Sequence, residues 1–217
     1  MRDLVIKKIL DEKIIAIVRG VDKESCIKVA QALYDGGIRL LEITFAQNKP
    51  ETFFNTAEAI KELSSIFEGR MEIGAGTVLT PEQVDMAVDA GAKYIISPDV
   101  NPEVIKRTLE RGAVSLPGAL TPSEITLAHS LGADFVKVFP VSTLGPDYVK
   151  AVKAPLSHIR LLAVGGVNEN NAVDFLKAGA LGLGIGGNLV NAKHIASGEF
   201  YKLTEVAKAL VESVKGF

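Results

Sequence analysis

The sequence predicts an α/β fold, a (β/α)8 TIM barrel in which eight parallel strands close into a ring and helices surround it. Short runs rich in β-branched residues recur about every 20 to 30 residues, and each is followed by a turn and a stretch with helical periodicity. Strands that alternate with helices pair in parallel through right-handed crossovers. The chain of 217 residues is long enough for eight such units, and no linker or low-complexity segment divides it. We therefore expect one barrel domain over residues 1–217.

The eight predicted strands are short and mostly apolar, as expected for a parallel sheet covered by helices. In chain order they are 14–19 (IIAIVR), 39–44 (RLLEIT), 71–76 (MEIGAG), 94–97 (YIIS), 113–116 (AVSL), 135–139 (FVKVF), 160–165 (RLLAVG) and 181–186 (LGLGIG). An open, doubly wound sheet is the alternative, because periodicity does not show whether a sheet closes. The number of units in so short a chain favours the barrel.

Helix boundaries between these strands are marked by capping residues and glycines. Three helix starts combine a capping residue, proline at the first helical position and an early acidic residue, at 80–82, 101–103 and 121–124. Helix ends are predicted at turns near Gly36, Gly91, Gly112, Gly132 and Gly179.

Charge and composition exclude several classes of function. The chain has 24 Lys and Arg residues against 26 Asp and Glu, a net charge of −2, so it lacks the basic surface that nucleic acids attract. Residues 1–20 (MRDLVIKKILDEKIIAIVRG) alternate charges with short apolar runs and form neither a signal-peptide core nor a membrane span. We expect a cytoplasmic protein without nucleic-acid or membrane partners. The single cysteine, Cys26, excludes an internal disulfide and is expected to pack in a helix.

The best candidate for a catalytic residue is Lys137, within the sixth predicted strand. Active sites of this fold lie at the C-terminal ends of the strands, where few polar residues occur here. The two-residue period of FVKVF places Phe135, Lys137 and Phe139 on one face, which points into the barrel if the two valines meet the helices. Burial favours the neutral amine, which can attack a carbonyl carbon. The alternative is a lysine on an exposed strand end.

Two further charged side chains are predicted to share this interior. The period of RLLEIT places Glu42 and Thr44 on the inward face, and Arg19 ends the first strand on its inward face. Side chains from alternate strands share layers in such a barrel, so Glu42 and Lys137 should be neighbours. Glu42 is then either an acid/base partner or half of a structural ion pair. Arg19 either contacts an anionic ligand or pairs with Glu42.

Glycine-rich turns after the last two strands suggest a phosphate site. Gly165 and Gly166 follow the seventh strand, and Gly186, Gly187 and Asn188 follow the eighth, where such barrels commonly bind phosphate. The alternative is that these glycines only form tight turns. The turn in 74–79 (GAGTVL) adds Thr77 as a hydroxyl contact. His129, His158 and His194 lack ligand spacing, so no metal site is expected.

Five motifs in order along the chain resemble the family of 2-keto-3-deoxy-6-phosphogluconate (KDPG) and 4-hydroxy-2-oxoglutarate (KHG) aldolases. They are 36–44 (GGIRLLEIT), 74–78 (GAGTV), 97–101 (SPDVN), 117–124 (PGALTPSE) and 132–140 (GADFVKVFP). The resemblance implies an aldehyde-lyase of carbohydrate metabolism that cleaves a keto-acid phosphate to pyruvate and an aldehyde such as glyceraldehyde 3-phosphate. It also implies a homotrimer without metal or cofactor.

By the same resemblance, individual residues acquire roles. Lys137 would be the Schiff-base lysine, Glu42 the general acid/base, and Thr77 a contact for the pyruvate carboxylate. Pro98 and Phe139 would contact the substrate, and the two glycine-rich turns would bind its phosphate.

Two positions depart from the family's pattern. Many members have a Leu-Arg pair whose arginine helps to bind pyruvate where this chain has Phe45 and Ala46, so we expect Arg19 to take more of that role. Many members also read Pro-Thr-Gly-Gly where this chain has Ala163 and Val164 before the two glycines. The missing hydroxyl at Val164 is predicted to change the preference for the substrate epimer.

Two other functions remain open from the residues alone. A phosphate-binding barrel could be an isomerase or epimerase, with Glu42 as base and Lys137 as electrostatic stabiliser. It could also be a non-catalytic sugar-phosphate binding protein. Retention of both Lys137 and Glu42 argues against the second, and a covalent imine with pyruvate would distinguish an aldolase from the first.

Overall fold

The structure, a computed structural model, describes residues 2–217, so only Met1 of the predicted domain lies outside the described residues. All strands of this part belong to one parallel sheet, in the spatial order β5-β4-β3-β2-β1-β9-β8-β7-β6. The strands are β1 (Ile14–Val18), β2 (Leu40–Thr44), β3 (Glu72–Gly76), β4 (Tyr94–Ile96), β5 (Val114–Leu116), β6 (Gly118–Ala119), β7 (Val136–Val138), β8 (Leu161–Val164) and β9 (Gly182–Ile185).

Helices alternate with these strands and cover the outside of the sheet. They are α1 (Arg2–Glu12), α2 (Lys23–Asp35), α3 (Phe53–Ile66), α4 (Pro81–Asp89), α5 (Pro102–Glu110), α6 (Pro122–Ser130), α7 (Gly145–Lys153), α8 (Ala172–Lys177), α9 (Ala192–Ala196) and α10 (Phe200–Ser213). None of the helices in residues 2–217 is long and apolar enough to cross a membrane. Cys26 is buried in the core and carries no disulfide, and burial raises the pKa of its thiol to about 12.

The ring closes through a strand that proline interrupts. β5 pairs with β4 and β6 pairs with β7, and only Pro117 separates β5 from β6 along the chain. Proline has no N–H to donate, but the Pro117 carbonyl still accepts from the backbone N–H of Lys137 at 2.9 Å. The two short strands together take the place of the fifth strand of the ring, of which the prediction for 113–116 covered only β5, and the predicted (β/α)8 barrel is confirmed.

The predicted helix starts are also confirmed. Thr80, Asn101 and Thr121 each accept a hydrogen bond from a backbone N–H in the first turn, and Thr121 forms a full capping box with Glu124. At the end of α2, Gly37 rather than Gly36 has the positive φ, of +96°. Gly36 is required for another reason, because a Cβ there would lie 2.3 Å from the Cβ of Ala207 on α10.

Helix α1, which was not predicted from the sequence, closes the N-terminal end of the barrel. Its Val5 and Ile9 belong to a buried cluster with Tyr94, Phe135 and other inward side chains of the strands. This packing fills the N-terminal end of the barrel with mostly apolar side chains.

Candidate active site

A cavity of about 560 Å³ opens at the C-terminal ends of β1, β7, β8 and β9. The predicted site residues on its wall are Arg19, Lys137, Phe139, Val164, Gly165, Gly166, Gly186, Gly187 and Asn188. The cavity wall also contains residues that were not predicted, namely Ile17, Val167, Gly184, Val190 and Ala192. The strand period does place Ile17 on the inward face beside Arg19, whereas residues of the connecting loops carry no such signal.

Lys137 lies in the middle of β7 and faces this cavity. Its side chain is buried among apolar residues, and its Nζ lies 4.7 Å from the centroid of the Phe139 ring. Burial lowers the pKa of Lys137, the negative charge of Glu42 opposes that shift, and Arg19 adds to it. The outcome is a larger population of neutral amine than an exposed lysine would have, which is the form that attacks a carbonyl.

Glu42 lies in the middle of β2 and is only 1% exposed. Burial raises the pKa of its carboxyl, and the charges of Lys137 and Arg19 act in the opposite direction. A Cβ on Gly76 would lie 1.7 Å from its Oε1, so the space that the carboxyl occupies exists because β3 ends in glycine. Glu42 is not among the residues that line the cavity of Lys137, but Lys137 and Arg19 are near enough for their charges to act on its pKa.

Arg19 stands at the mouth of the cavity, exposed and directly after β1. It affects the pKa of both buried groups through its charge. An exposed guanidinium on a cavity wall can bind a carboxylate or phosphate with two parallel hydrogen bonds.

The two glycine-rich turns differ in why they contain glycine. Gly165 and Gly166 have φ of +98° and +79°, and a Cβ on Gly166 would lie 2.7 Å from Ser142. Their conformation alone requires glycine. A Cβ on Gly187, in contrast, would meet no atom within 4 Å. Since neither packing nor backbone conformation demands glycine there, the open space beside Gly187 is available to a ligand.

The two turns are also joined to each other. The Asn188 side chain donates a hydrogen bond from Nδ2 to the Val167 carbonyl at 2.9 Å. This bond fixes the second turn against the first. Together they form one wall of the cavity, with backbone groups available for an anion.

Three of the predicted contacts lie away from this wall. Thr44 lines a neighbouring cavity of about 550 Å³ that also includes Ala46 and Lys49. The Pro98 backbone packs against Gly118, where a Cβ would lie 2.5 Å from the Pro98 carbonyl. Thr77 follows β3 with a φ of +55°. Neither Pro98 nor Thr77 lines the cavity of Lys137 as it stands.

No three His, Cys, Asp or Glu side chains of residues 2–217 are grouped so that they could hold a metal ion. His129 and His158 do contact each other, edge to face with ring centroids 5.1 Å apart, but both are exposed on the surface of the barrel.

Comparison with known proteins gives a consistent result. The model of the family described as KDPG and KHG aldolase matches residues 5–206. The chain is 35% identical to the 2-dehydro-3-deoxy-6-phosphogalactonate aldolase of Escherichia coli K12, with 93% of this chain and 96% of that protein covered. It is 32% identical to the 2-dehydro-3-deoxy-phosphogluconate aldolase of Treponema pallidum, with 93% of both chains covered.

A solved structure adds chemical information about a relative. The KDPG aldolase of Legionella pneumophila has been crystallised with pyruvate captured as a covalent carbinolamine intermediate. It superimposes on this barrel with a TM-score of 0.83, at 27% identity, with 93% of this chain and 95% of that chain covered.

Proposed function

The chain belongs to the KDPG and KHG aldolase family, and we propose that it cleaves a 4-hydroxy-2-keto acid to pyruvate and an aldehyde through a Schiff base on Lys137. The candidate substrates are 2-keto-3-deoxy-6-phosphogluconate, its galactonate epimer and 4-hydroxy-2-oxoglutarate. One observation carries the proposal. A buried lysine with a lowered pKa shares a barrel interior with a buried glutamate whose pKa is raised, at the end of the barrel where this fold performs catalysis.

Covalent chemistry begins at the amine. Neutral Lys137 Nζ adds to the C2 carbonyl carbon of the keto acid to form a carbinolamine, and uptake of a proton with loss of water then gives a protonated imine. The imine withdraws electrons from C3 and weakens the C3–C4 bond. The carbinolamine of the Legionella relative supports this first step. Arg19 is suited to hold the carboxylate of the keto acid, because the arginine that many relatives place at the end of the second strand is Ala46 here.

Proton transfer is assigned to Glu42. As the C3–C4 bond breaks, its carboxylate takes the proton of the C4 hydroxyl, directly or through a water, and the aldehyde leaves. The bonding electrons remain on the pyruvate unit as an enamine. The protonated Glu42 then returns a proton to C3, and water hydrolyses the imine to release pyruvate and free Lys137. A raised pKa suits a group that must both take and give this proton at neutral pH.

The glycine-rich turns would hold the phosphate away from the reacting atoms. With a six-carbon 6-phosphate as substrate, the aldehyde product is glyceraldehyde 3-phosphate, and anchoring its phosphate fixes C4 relative to Lys137. Open space at Gly187 and the backbone groups of both turns support this assignment. Phe139, on the same cavity wall, is a further proposed substrate contact, and Thr44, Thr77 and Pro98, which lie away from this wall, remain predicted contacts.

The remaining parts of the proposal depend on the family alone. We expect a homotrimer in the cytoplasm that acts in carbohydrate metabolism without metal or cofactor. Because its relatives include named aldolases, we favour aldolase activity over an isomerase or a non-catalytic binding protein.

The side chain of Val164 affects which C4 epimer of the substrate is cleaved. It lies at the end of β8 on the cavity wall, and a Cβ on the neighbouring Gly184 would be 2.8 Å from its Cγ2. A threonine hydroxyl at this place could bond one orientation of a substrate hydroxyl and reject the other. Valine has nearly the same size and no such bond. We therefore expect both C4 epimers to be cleaved, or the galacto epimer to be favoured.

The test compares specificity constants for the gluco and galacto 6-phosphates, with pyruvate release as the measure. Val164→Thr should restore discrimination by about 1 to 2 kcal/mol, the value of one buried hydrogen bond. Val190→Thr is the matched control, because it adds the same hydroxyl elsewhere on the cavity wall. If the unsubstituted protein rejects the galacto epimer strongly and Val164→Thr leaves the ratio unchanged, Val164 does not select the epimer. If neither epimer nor 4-hydroxy-2-oxoglutarate yields pyruvate, the proposed reaction is wrong.

A further inference from the structure

The loop that follows β3, residues 77–80, is held by side chains from other parts of the chain. Each of its first three carbonyl groups accepts a hydrogen bond from a different side chain. The donors are Gln47 Nε2 to Thr77 at 2.5 Å, Ser97 Oγ to Val78 at 2.7 Å and Asn101 Nδ2 to Leu79 at 3.2 Å. A loop whose carbonyl groups are all bonded in this way has little freedom to move.

Two of the side chains concerned form a pair of amides. Gln83 Nε2 donates to Gln47 Oε1 at 3.1 Å, and Gln47 Nε2 lies 3.3 Å from Gln83 Oε1. Gln83 Oε1 also accepts the backbone N–H of Leu79 at 2.7 Å. The pair therefore bonds the loop at two points, at the Thr77 carbonyl through Gln47 and at the Leu79 N–H through Gln83. Gln83 is only 4% exposed, whereas Gln47 is half-buried.

Thr77 has a backbone conformation that needs such support. Its φ of +55° lies in the left-handed region, which β-branched residues rarely adopt because Cβ crowds the backbone. Residues in this region persist where surrounding contacts hold them, and they concentrate at functional sites. The amide of Gln47 binds the carbonyl of the strained residue itself.

The same loop is coupled to the proposed catalytic carboxyl. Gly76, directly before Thr77, is the residue whose Cβ would lie 1.7 Å from Glu42 Oε1. A shift of the backbone at Thr77 would therefore move the surface against which Glu42 packs. We propose that Gln47 and Gln83 are positioning residues that hold Thr77 and the end of β3 in the geometry that binds the pyruvate carboxylate. This inference rests on the proposed function.

The proposal requires an amide at position 47, because only an amide donates to the Thr77 carbonyl and accepts from Gln83 at the same time. Gln47→Glu has nearly the same shape but places an acceptor against the carbonyl oxygen, so it should disturb Thr77 more than Gln47→Ala does. A role limited to filling space predicts the reverse order. Gln31→Ala is the matched control, since the Gln31 amide bonds only Asp35 on the exposed surface of α2.

The experiment measures the pyruvate concentration that gives half of the maximal borohydride-trapped adduct on the Lys137 peptide. Gln47→Ala should raise it about tenfold, corresponding to loss of roughly one hydrogen bond, and Gln47→Glu should raise it further. In a Thr77→Ala background, Gln47→Ala should add less than twofold, because the contact that it positions is already missing. Melting temperatures of the variants show that they are folded. Gln47 is the position of choice because substitution of the buried Gln83 risks unfolding.

The outcomes separate this inference from the proposed function. An adduct that forms in every variant with half-saturation within twofold of the unsubstituted protein overturns the positioning role alone. Fully additive effects of Thr77→Ala and Gln47→Ala also overturn it. Absence of any Lys137 adduct in the unsubstituted protein overturns the proposed function and this inference with it.

Discussion

At the scale of single residues, the site contains two buried groups, Glu42 and Lys137, whose pKa values are both displaced toward the neutral form. Desolvation is the largest cause for each of them, and the opposite charge of the partner only reduces the shift. A structural ion pair is held by direct contact between the charged atoms, whereas Lys137 acts on Glu42 through its charge alone, without a hydrogen bond. The pair is instead suited to a site where one group adds to a carbonyl and the other carries a proton.

The pH dependence of imine formation should respond to the two charged neighbours of Lys137 in opposite directions. Only the neutral amine reacts, so the rate falls below the pKa of Lys137. Glu42 raises that pKa and Arg19 lowers it. Glu42→Gln should therefore move the acidic limb of the profile to lower pH, and Arg19→Met should move it to higher pH. The measurement is the initial rate of cyanoborohydride trapping with saturating pyruvate as a function of pH.

Glu72→Gln is the control for this experiment, because Glu72 begins β3 and is not among the groups that shift the pKa of Lys137. If both profiles moved in the same direction, Glu42 and Arg19 would not have the opposite effects on the pKa of Lys137 that we assign to them. Glu42→Gln should in addition lower turnover by about 100-fold or more while trapping continues, since general acid/base catalysis contributes a factor of this size.

The directions of some side chains in the site could be predicted from the sequence, whereas the backbone conformation of Thr77 could not. The two-residue period of a strand was enough to predict that Lys137 and Glu42 face inward. It could not predict that Thr77 adopts a positive φ, because Gln47, which bonds its carbonyl, lies 30 residues earlier in the chain. Nothing in the local sequence marks Gln47 or Gln83 as a positioning residue. Their amides meet the loop after β3 only when folding brings β2, β3 and α4 together.

At the scale of elements, the turns that follow β8 and β9 allow the effect of a substitution on phosphate binding to be measured apart from its effect on folding. Gly166 and Gly187 were both predicted to bind phosphate. Substitution of Gly166 would clash with Ser142 and strain a positive φ, so its effects would mix folding with binding. Gly187 has open space around it, and a side chain there should fold normally.

Gly187→Val should raise the Michaelis constant for a 6-phosphate substrate by about tenfold or more, because the added methyl groups occupy the proposed phosphate space. Gly187→Ala should have a smaller effect in the same direction. The matched control is a substrate without phosphate, 4-hydroxy-2-oxoglutarate, for which the Michaelis constant should change less than twofold. Equal changes for the two substrates would mean that the turn is structural.

The fifth strand of the barrel was only partly predicted from the sequence. Its apolar run predicted a strand at 113–116, which is present, but not that pairing resumes after Pro117 in β6. A proline usually ends a strand because it lacks a donor. Here the ladder continues because the Pro117 carbonyl, which proline retains, still accepts from Lys137. The same hydrogen bond fixes the backbone of the proposed nucleophile.

At the scale of the whole molecule, the barrel separates stability at one end from chemistry at the other. Helix α1 fills the N-terminal end with Val5 and Ile9, while the buried polar groups Glu42 and Lys137 lie toward the opposite end. Sequence patterning predicted the barrel from its repeated units. It assigned no role to α1, because short apolar runs among charges do not reveal which surface a helix will cover.

Ile9→Ala should lower the free energy of unfolding by about 2 to 5 kcal/mol, the cost of removing a fully buried large side chain. The specificity constant for the keto-acid phosphate should remain within twofold, because Ile9 is at the closed end of the barrel. Leu4→Ala on the same helix is the control. Leu4 is 71% exposed, so its removal should change stability by no more than about 0.5 kcal/mol. Denaturant unfolding measures both variants, and a large loss of activity in folded Ile9→Ala would contradict the separation.

Catalysis through a covalent imine on Lys137 is best tested by peptide mapping after borohydride reduction in the presence of pyruvate. One three-carbon adduct per chain is expected, on the peptide that contains Lys137. Lys137→Ala should lose both the adduct and turnover, whereas Glu42→Gln should keep the adduct. An adduct on a different lysine, or turnover without any trapped adduct, would show that Lys137 is not the nucleophile.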